Sequence, residues 1–320
     1  SEEFIVKASG IKRRHVIDKD NILDIAVMAP RLLERANNEL SLQAEMGVMA
    51  AKQALAKAGQ TAQAVDAVIV SSTNSQRPYP GIAVEIQQAL GIEGFAFDMR
   101  VACSSATFGL QMAYQTIACD NARAVLVISP EICSVQLNYR DRDSHFIFGD
   151  ACTAVLVEKQ EHANNPHPFL IKAIRLATQF SNNIRSNEGF MNRATPEAMF
   201  HADKLFTQQG RSVFKEVIPW VSRFITDHLT AENISPDKLK RLWLHQANIN
   251  MNKLITEKVL GRPATAEEAP IILDEYANTS AAGSVIAFHL HHEDLKPGDE
   301  AILCSFGAGY SVGNVILKRL

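Results

Sequence analysis

A chain of 320 residues with 47% hydrophobic and 21% charged side chains can bury a sizeable core, as one large domain or two fused ones, and it holds no apolar run long enough to span a membrane. A net charge of −3 argues against a broad nucleic-acid footprint, although the cluster Lys12, Arg13 and Arg14 is placed to meet an acidic partner locally. Five cysteines without a CxxC pair fit neither a disulfide framework nor a zinc site, and the N-terminal residues lack the order of a secretion signal, so reduced thiols, mostly packed in the core, and a cytoplasmic setting are expected.

In chain order, a helix is expected over 41–58, closed by Gly59, and then an apolar strand at 67–73 (AVIVSST). A helix over 80–90, opened by Pro80 and closed by Gly91, precedes an uncharged, small-residue helix over 103–119. The strand AVLVISPE (124–131) follows, and GDACTAVLVE (149–158) reads as a turn feeding a strand at 153–159, with Cys152 as packing. Further on come a helix over 203–230, the strand LWLHQ (242–246), a helix over 249–260 closed by Gly261, a helix over 279–294 and the strand AILCSF (301–306). Alternating strands and helices of this kind predict an α/β protein with largely buried sheets.

Laid side by side, the two parts of the chain echo each other. VIVSSTN (68–74) leads to IAVEIQQALG, ACSSATFG and ARAVLVIS; LWLHQAN (242–248) leads to MNKLITEKVLG, ANTSAAGS and DEAILCSF. Strand, helix, small-residue helix start and strand thus occur twice, roughly 175 residues apart, as a duplicated unit would give. The repeat puts Cys103 and Asn278 in equivalent places, each at the start of a small-residue helix, with His245 just past the end of a strand. In open α/β sheets such ends gather at one edge, where sites form.

Taken singly, Cys103 reads as buried packing, His245 as a core histidine and Asn278 as a helix N-cap. Position gives the thiol a second reading, because unpaired N–H groups and the helix dipole favour thiolate. Together the three supply a nucleophile able to carry an acyl chain and two donors for a developing oxyanion. FGAGYSVG (306–313) is spaced GxGxxxG late in the chain between strand-like runs, so it reads as a tight turn close to the site, not a dinucleotide fingerprint. His289, His291 and His292 lack a carboxylate pattern such as HExxH and read as a wet helix face; no metal site is expected.

At VACSSATFG, LHQAN and YANTSAAG followed by SFGAGYS, the sequence resembles the β-ketoacyl-ACP synthase III family of the thiolase superfamily, over nearly its whole length. The resemblance implies a duplicated, five-layered α/β/α/β/α fold with two pseudo-symmetric halves, 1–165 carrying the nucleophile and 166–320 carrying the histidine and asparagine. It implies that Cys103 is acylated by an acyl-CoA primer, that malonyl-ACP is decarboxylated beside His245 and Asn278, and that backbone N–H groups of Cys103 and Ala308 form an oxyanion hole. Substrate contacts carried over are Phe4, Tyr79, Arg142, Gly210, Phe214 and Asn248, and carrier-protein contacts are Lys215, Lys253 and Lys258. No cofactor is implied beyond the CoA and ACP thioesters themselves, and the assembly implied is a homodimer.

This chain departs from the family pattern at several points. Family members carry a strand ahead of the part equivalent to SEEFIVKASGI, so a core strand is expected to be missing here. Phe4 and Ala8 stand where the family's adenine clamp has Trp and Arg, Arg142 matches the other adenine-side arginine, and Asn250 replaces an arginine of the carrier site. The stretch 21–47 is longer than in acetyl-primed members, and VACSSATFG with QRPYPGIAVE looks like a branch that takes medium-chain primers such as octanoyl-CoA, with Tyr79 reaching across a dimer interface to close the acyl pocket. Two other readings keep parts of this: an acyltransferase that passes the acyl group to an alcohol or amine, and an inactive partner subunit of a heterodimer.

Overall fold

The computed structural model describes residues 2–189, 191, 192 and 201–320. In the first half come α1 (Glu2–Ser9), α2 (Lys19–Leu23), α3 (Leu42–Ala58), β1 (Ala67–Ser71), α4 (Ile82–Leu90), β2 (Phe95–Met99), α5 (Ser105–Ala118), β3 (Ala124–Glu131) and β4 (Ala151–Glu158). The second holds β5 (Phe169–Thr178), β6 (Ile184–Arg185), β7 (Thr207–Gln208), α6 (Gly210–Ala231), β8 (Leu239–Leu244), α7 (Ile249–Leu260), α8 (Leu273–Tyr276), α9 (Ala282–Leu290), β9 (Glu300–Gly307) and β10 (Ser311–Arg319). Two four-stranded sheets result, ordered β2-β1-β3-β4 and β5-β10-β9-β8, while β6 and β7 make a separate small pair.

The echo in the sequence is an echo in topology. β1 and β3 pair in parallel and β4 returns antiparallel to β3; β8 and β9 pair in parallel and β10 returns antiparallel to β9. Period-2 alternation divides each strand between two layers. Ile69 and Val127 face inward to meet Leu110 of α5, and Trp243 and Leu303 come from the other sheet to meet Val285 of α9 in the same central cluster. Val68, Val70, Leu126 and Ile128 face outward under α3 and α4. Leu242, Leu244 and Ile302 do the same under α6 and α7. The layers therefore run α3/α4, first sheet, α5/α9, second sheet, α6/α7. Each large side chain buried this way stabilises the fold by about 1.5–3 kcal/mol relative to exposure.

Helix ends show where local signals decide and where distant ones do. Ser41 caps α3 by accepting the Ala44 N–H, and Gly59, Gly91 and Gly261 close α3, α4 and α7 in the left-handed conformation. α4 starts at Ile82, not Pro80, because Asp98 of β2 accepts the Ile82 and Ala83 N–H groups at 2.8 Å each. α6 starts at Gly210 instead of residue 203, since Thr207 and Gln208 pair with Arg185 and Ile184 as a strand. The helix expected over 279–294 is confined to Ala282–Leu290, leaving 279–281 as a turn.

All eight residues of β4, Cys152 included, are half-buried, and β4's outer edge has no strand partner among the described residues. Cys133 and Cys304 are packed in the core as expected, whereas Cys119 is exposed. The expected acidic partner of the basic cluster is the chain itself. Lys12 and Arg13 pair with Asp274 and Glu275 of the second half, whereas Arg14 donates to the carbonyls of His145 and Phe148 in the first, so that the residues after α1 bridge the two halves. No helix among the described residues is long and apolar enough to cross a membrane.

Candidate active site

Cys103 lies in a 3-10 turn, Ala102–Ser104, that runs straight into α5. The turn is strained: Ala102 has φ of 46°, a conformation that costs a non-glycine residue of order 1–3 kcal/mol and needs outside support. The serines supply it. Ser105 accepts the Val101 N–H and donates to the carbonyls of Ala102 and Ser72, while Ser104 donates to the carbonyl of Ser311 in the other half. Small size accounts for only part of why SSAT follows the cysteine. Close approach matters on the far side too, because a Cβ on Gly307 would sit 2.6 Å from Cys103 Cβ and 3.0 Å from its sulfur.

The helix start does not turn the resting thiol into a thiolate. Burial pushes it up to about 11, opposed by the Ser280 hydroxyl and by the backbone N–H groups of Ala308 and Cys103, and reinforced by Glu131. α5 begins only at Ser105, so the dipole acts from beyond the turn, and desolvation outweighs it.

His245 follows β8 directly, its N–H bonded to the Cys304 carbonyl and its ring edge-on to Phe306 at 5.3 Å. Only 2% of the residue is exposed, and burial pushes the imidazole down to about 4, offset in part by the Ser280 backbone. It is therefore neutral near pH 7. Asn278 follows Ala277, held at φ 57°, and is gripped by the first half: its N–H donates to the Ile147 carbonyl and its own carbonyl accepts from Gly149. Its Oδ1 accepts the Ser280 N–H at 2.9 Å, which leaves Nδ2 as the amide's donor toward the cavity.

Cys103, His245 and Asn278 open on one cavity of about 250 Å³ with mostly apolar walls, among them Phe146 and Phe148 from one half and Val213 and Met251 from the other. Phe4, Gly210, Phe214 and Asn248 also line it. Asn248 caps α7 as well, and its amide donates to the Ala8 carbonyl. Arg142 lies outside the lining, its guanidinium 5.7 Å from the Phe4 ring at the mouth. Tyr79 is away from the cavity and 80% exposed. Lys215, Lys253 and Lys258 are exposed on α6 and α7, and none forms an ion pair among the described residues. Of the late glycines, Gly309 lies in the tight turn between β9 and β10, Gly307 ends β9 and Gly313 lies inside β10. His292 is half-buried and turns Nδ1 to the Phe288 and His289 carbonyls.

Sequence reasoning missed Ser280, Thr73 and Glu131, which meet beside the sulfur. The signal for Glu131 was a lone carboxylate ending the apolar strand AVLVISPE.

The fold is that of the thiolase-like condensing enzymes. Residues 97–172 match the family 3-Oxoacyl-[acyl-carrier-protein (ACP)] synthase III, and residues 229–319 match its C-terminal part. A β-ketodecanoyl-[acyl-carrier-protein] synthase of Pseudomonas aeruginosa is 58% identical over 319 residues, covering 100% of this chain and 91% of that one. A β-ketoacyl-[acyl-carrier-protein] synthase III of Mesorhizobium japonicum is 29% identical, with 99% and 91% covered. The crystal structure of 3-oxoacyl-[acyl-carrier-protein] synthase III from Aquifex aeolicus superposes with a TM-score of 0.78 at 26% identity, covering 99% and 91%. The chain belongs to the 3-oxoacyl-[acyl-carrier-protein] synthase III family, and the duplicated, five-layered thiolase-like fold expected from its motifs is borne out.

Proposed function

We propose that the chain condenses an acyl-CoA primer with malonyl-ACP, releasing CO2 and forming a β-ketoacyl-ACP by way of a thioester on Cys103. The observation that carries this is the convergence of a thiol, a neutral imidazole and an amide on one mostly apolar cavity. In the first stage Cys103 attacks the primer thioester, and the backbone N–H groups of Cys103 and Ala308 hold the oxyanion. In the second, His245 and Asn278 hydrogen-bond the malonyl thioester oxygen as CO2 leaves, and the enolate attacks the acyl-Cys103 carbonyl. Both substrates arrive on phosphopantetheine arms, so the reading invokes no further cofactor, and acyl-CoA as donor puts the reaction in the cytoplasm.

The reading puts the adenine of CoA against Phe4 and Arg142, whose guanidinium lies 5.7 Å from the Phe4 ring. Lys215, Lys253 and Lys258, exposed on the helices α6 and α7 that also supply Phe214 and Met251 to the cavity, are the landing site this reading assigns to an acidic carrier. The relative from Pseudomonas aeruginosa is named for a ten-carbon product, two carbons of which come from malonyl; an eight-carbon primer, octanoyl-CoA, follows for this chain. The test is acylation of Cys103 by acyl-CoAs from two to twelve carbons, read by mass spectrometry, with octanoyl giving the fastest rate. A clear preference for acetyl-CoA would reject the medium-chain assignment.

The assembly proposed is a homodimer joined at β2. This edge strand exposes Phe95 and Phe97, and Tyr79, Val84 and Tyr114 are exposed large hydrophobics of the same half. An unpaired apolar edge invites a second copy. Sedimentation velocity should show twice the chain mass at micromolar concentration, and Phe97→Lys should shift it to monomer; a monomeric unsubstituted protein would refute the assignment.

A further inference from the structure

Glu131 ends β3 fully buried, in a strand whose other residues are apolar or small. Its Oε1 accepts from the Thr73 N–H at 3.0 Å and from the Thr73 hydroxyl at 3.3 Å. Thr73 Oγ1 is in hydrogen-bond contact with Ser280 Oγ, and Ser280 Oγ lies 3.4 Å from Cys103 Sγ. A continuous chain of two hydroxyls thus joins a buried carboxyl to the nucleophile, assembled from the end of β3, the loop after β1 and the turn before α9. Each hydroxyl can donate and accept at once, so turning the two rotors reverses the direction of the whole chain.

We propose that Glu131 takes the proton of the Cys103 thiol through Ser280 and Thr73, as a positioning residue that holds it during the acyl-enzyme stage and returns it afterwards. The inference rests on Cys103 being the acylated nucleophile. In the forward step the S–H bond breaks, each hydroxyl receives one proton and passes one on, and an O–H bond forms on Glu131. Thiolate plus carboxylic acid replace thiol plus carboxylate, so the net charge of the buried site does not change. The thiolate attacks the primer carbonyl and the CoA thiolate leaves, taking its proton from water. After condensation the acyl C–S bond breaks, the electron pair stays on Cys103, and Glu131 gives its proton back.

The groups facing Glu131 make this exchange reasonable. Those stabilising its charge are neutral donors: the N–H and hydroxyl of Thr73, the Ala281 N–H and the Cys133 thiol. Burial outweighs them and pushes the carboxyl up to about 8, so both forms exist near neutral pH. The ionisable neighbours, Cys103, Cys133 and Cys152, would all be anions if charged, and Asp150 also acts on Cys133. A pocket of this kind holds one negative charge far better than two, and the proton's position decides whether carboxyl or sulfur bears it.

The test uses an aryl octanoate ester, whose phenolate release reports acylation without any need for CoA, with mass mapping to separate Cys103 from exposed Cys119. Glu131→Gln and Thr73→Val are expected to slow acylation of Cys103 at pH 7 by about tenfold or more, with rates that keep climbing with pH while the unsubstituted enzyme flattens above about 8. Thr73→Ser should restore the rate, and decarboxylation of malonyl-ACP should stay within about twofold in Thr73→Val. The sign is decisive, because a carboxylate acting only as a like charge raises the thiol, and its removal would speed acylation. Acylation at or above the unsubstituted rate in either variant, or equal loss of acylation and decarboxylation, would overturn the proposal. Should Glu131→Gln not fold, the Thr73 pair gives the answer alone. A failed acyl-CoA series beside a normal ester reaction would count against the proposed substrate and leave this test intact.

Discussion

Cys103→Ala is expected to abolish the acyl-enzyme and to lower condensation by at least about 10³-fold, while malonyl-ACP is still decarboxylated. Alanine fits where cysteine was, since Gly307 already brings backbone to within contact of the Cys103 Cβ and the hydroxyls of Ser104 and Ser105 hold the turn independently of the sulfur. The loss is therefore chemical and not a collapse of the site. No other thiol can take over: Cys133 and Cys304 are buried in the core, Cys152 is half-buried on β4, the thiols of all three are pushed well up by desolvation, and Cys119 lies exposed at the far end of α5. Intact-mass spectra after incubation with octanoyl-CoA should show the acyl adduct in the unsubstituted protein and none at this position in the variant. Condensation unchanged by the substitution would favour an inactive partner subunit or a different nucleophile.

Order along the chain was legible; depth was not. The duplicated spacing that put Cys103 opposite Asn278 follows from strands whose apolar runs are buried on both faces and from helices stopped by Gly59, Gly91 and Gly261, all local signals. β2 was harder to see, because at a sheet edge Phe95 and Phe97 are partly exposed and the run FAFDM contains a carboxylate, Asp98, that serves a helix instead of the sheet. The same long-range cap moved the start of α4. At the site, a helix start suggested an activated thiol, yet the state of a sulfur depends on how much water reaches it, and no spacing reports that. The Glu131, Thr73 and Ser280 chain was illegible for a related reason. Its members are 58 and 207 residues apart and meet only through the packing of both halves.

His245→Ala and Asn278→Ala are each expected to slow decarboxylation of malonyl-ACP by about 10²–10³-fold, with acylation of Cys103 by the primer little changed. In the proposed mechanism both side chains donate to the enolate oxygen, and both are held so that they need not reorganise when charge develops. Asn278 is fixed by the Ile147, Gly149 and Ser280 backbones, and His245 by its bond to Cys304 and the edge of Phe306. With the imidazole pushed down to about 4 by burial, it stays neutral as pH rises from 6 to 9, and the decarboxylation rate should be flat over that range. An inflection near the ordinary histidine value of about 6.5 would show that water reaches the ring and that the imidazolium is the working form. Because the two donors serve one oxygen, removing both should cost less than the product of the single losses. A double variant that loses the full product would place the imidazole and the amide on different steps, one of them on the capture of the enolate by acyl-Cys103.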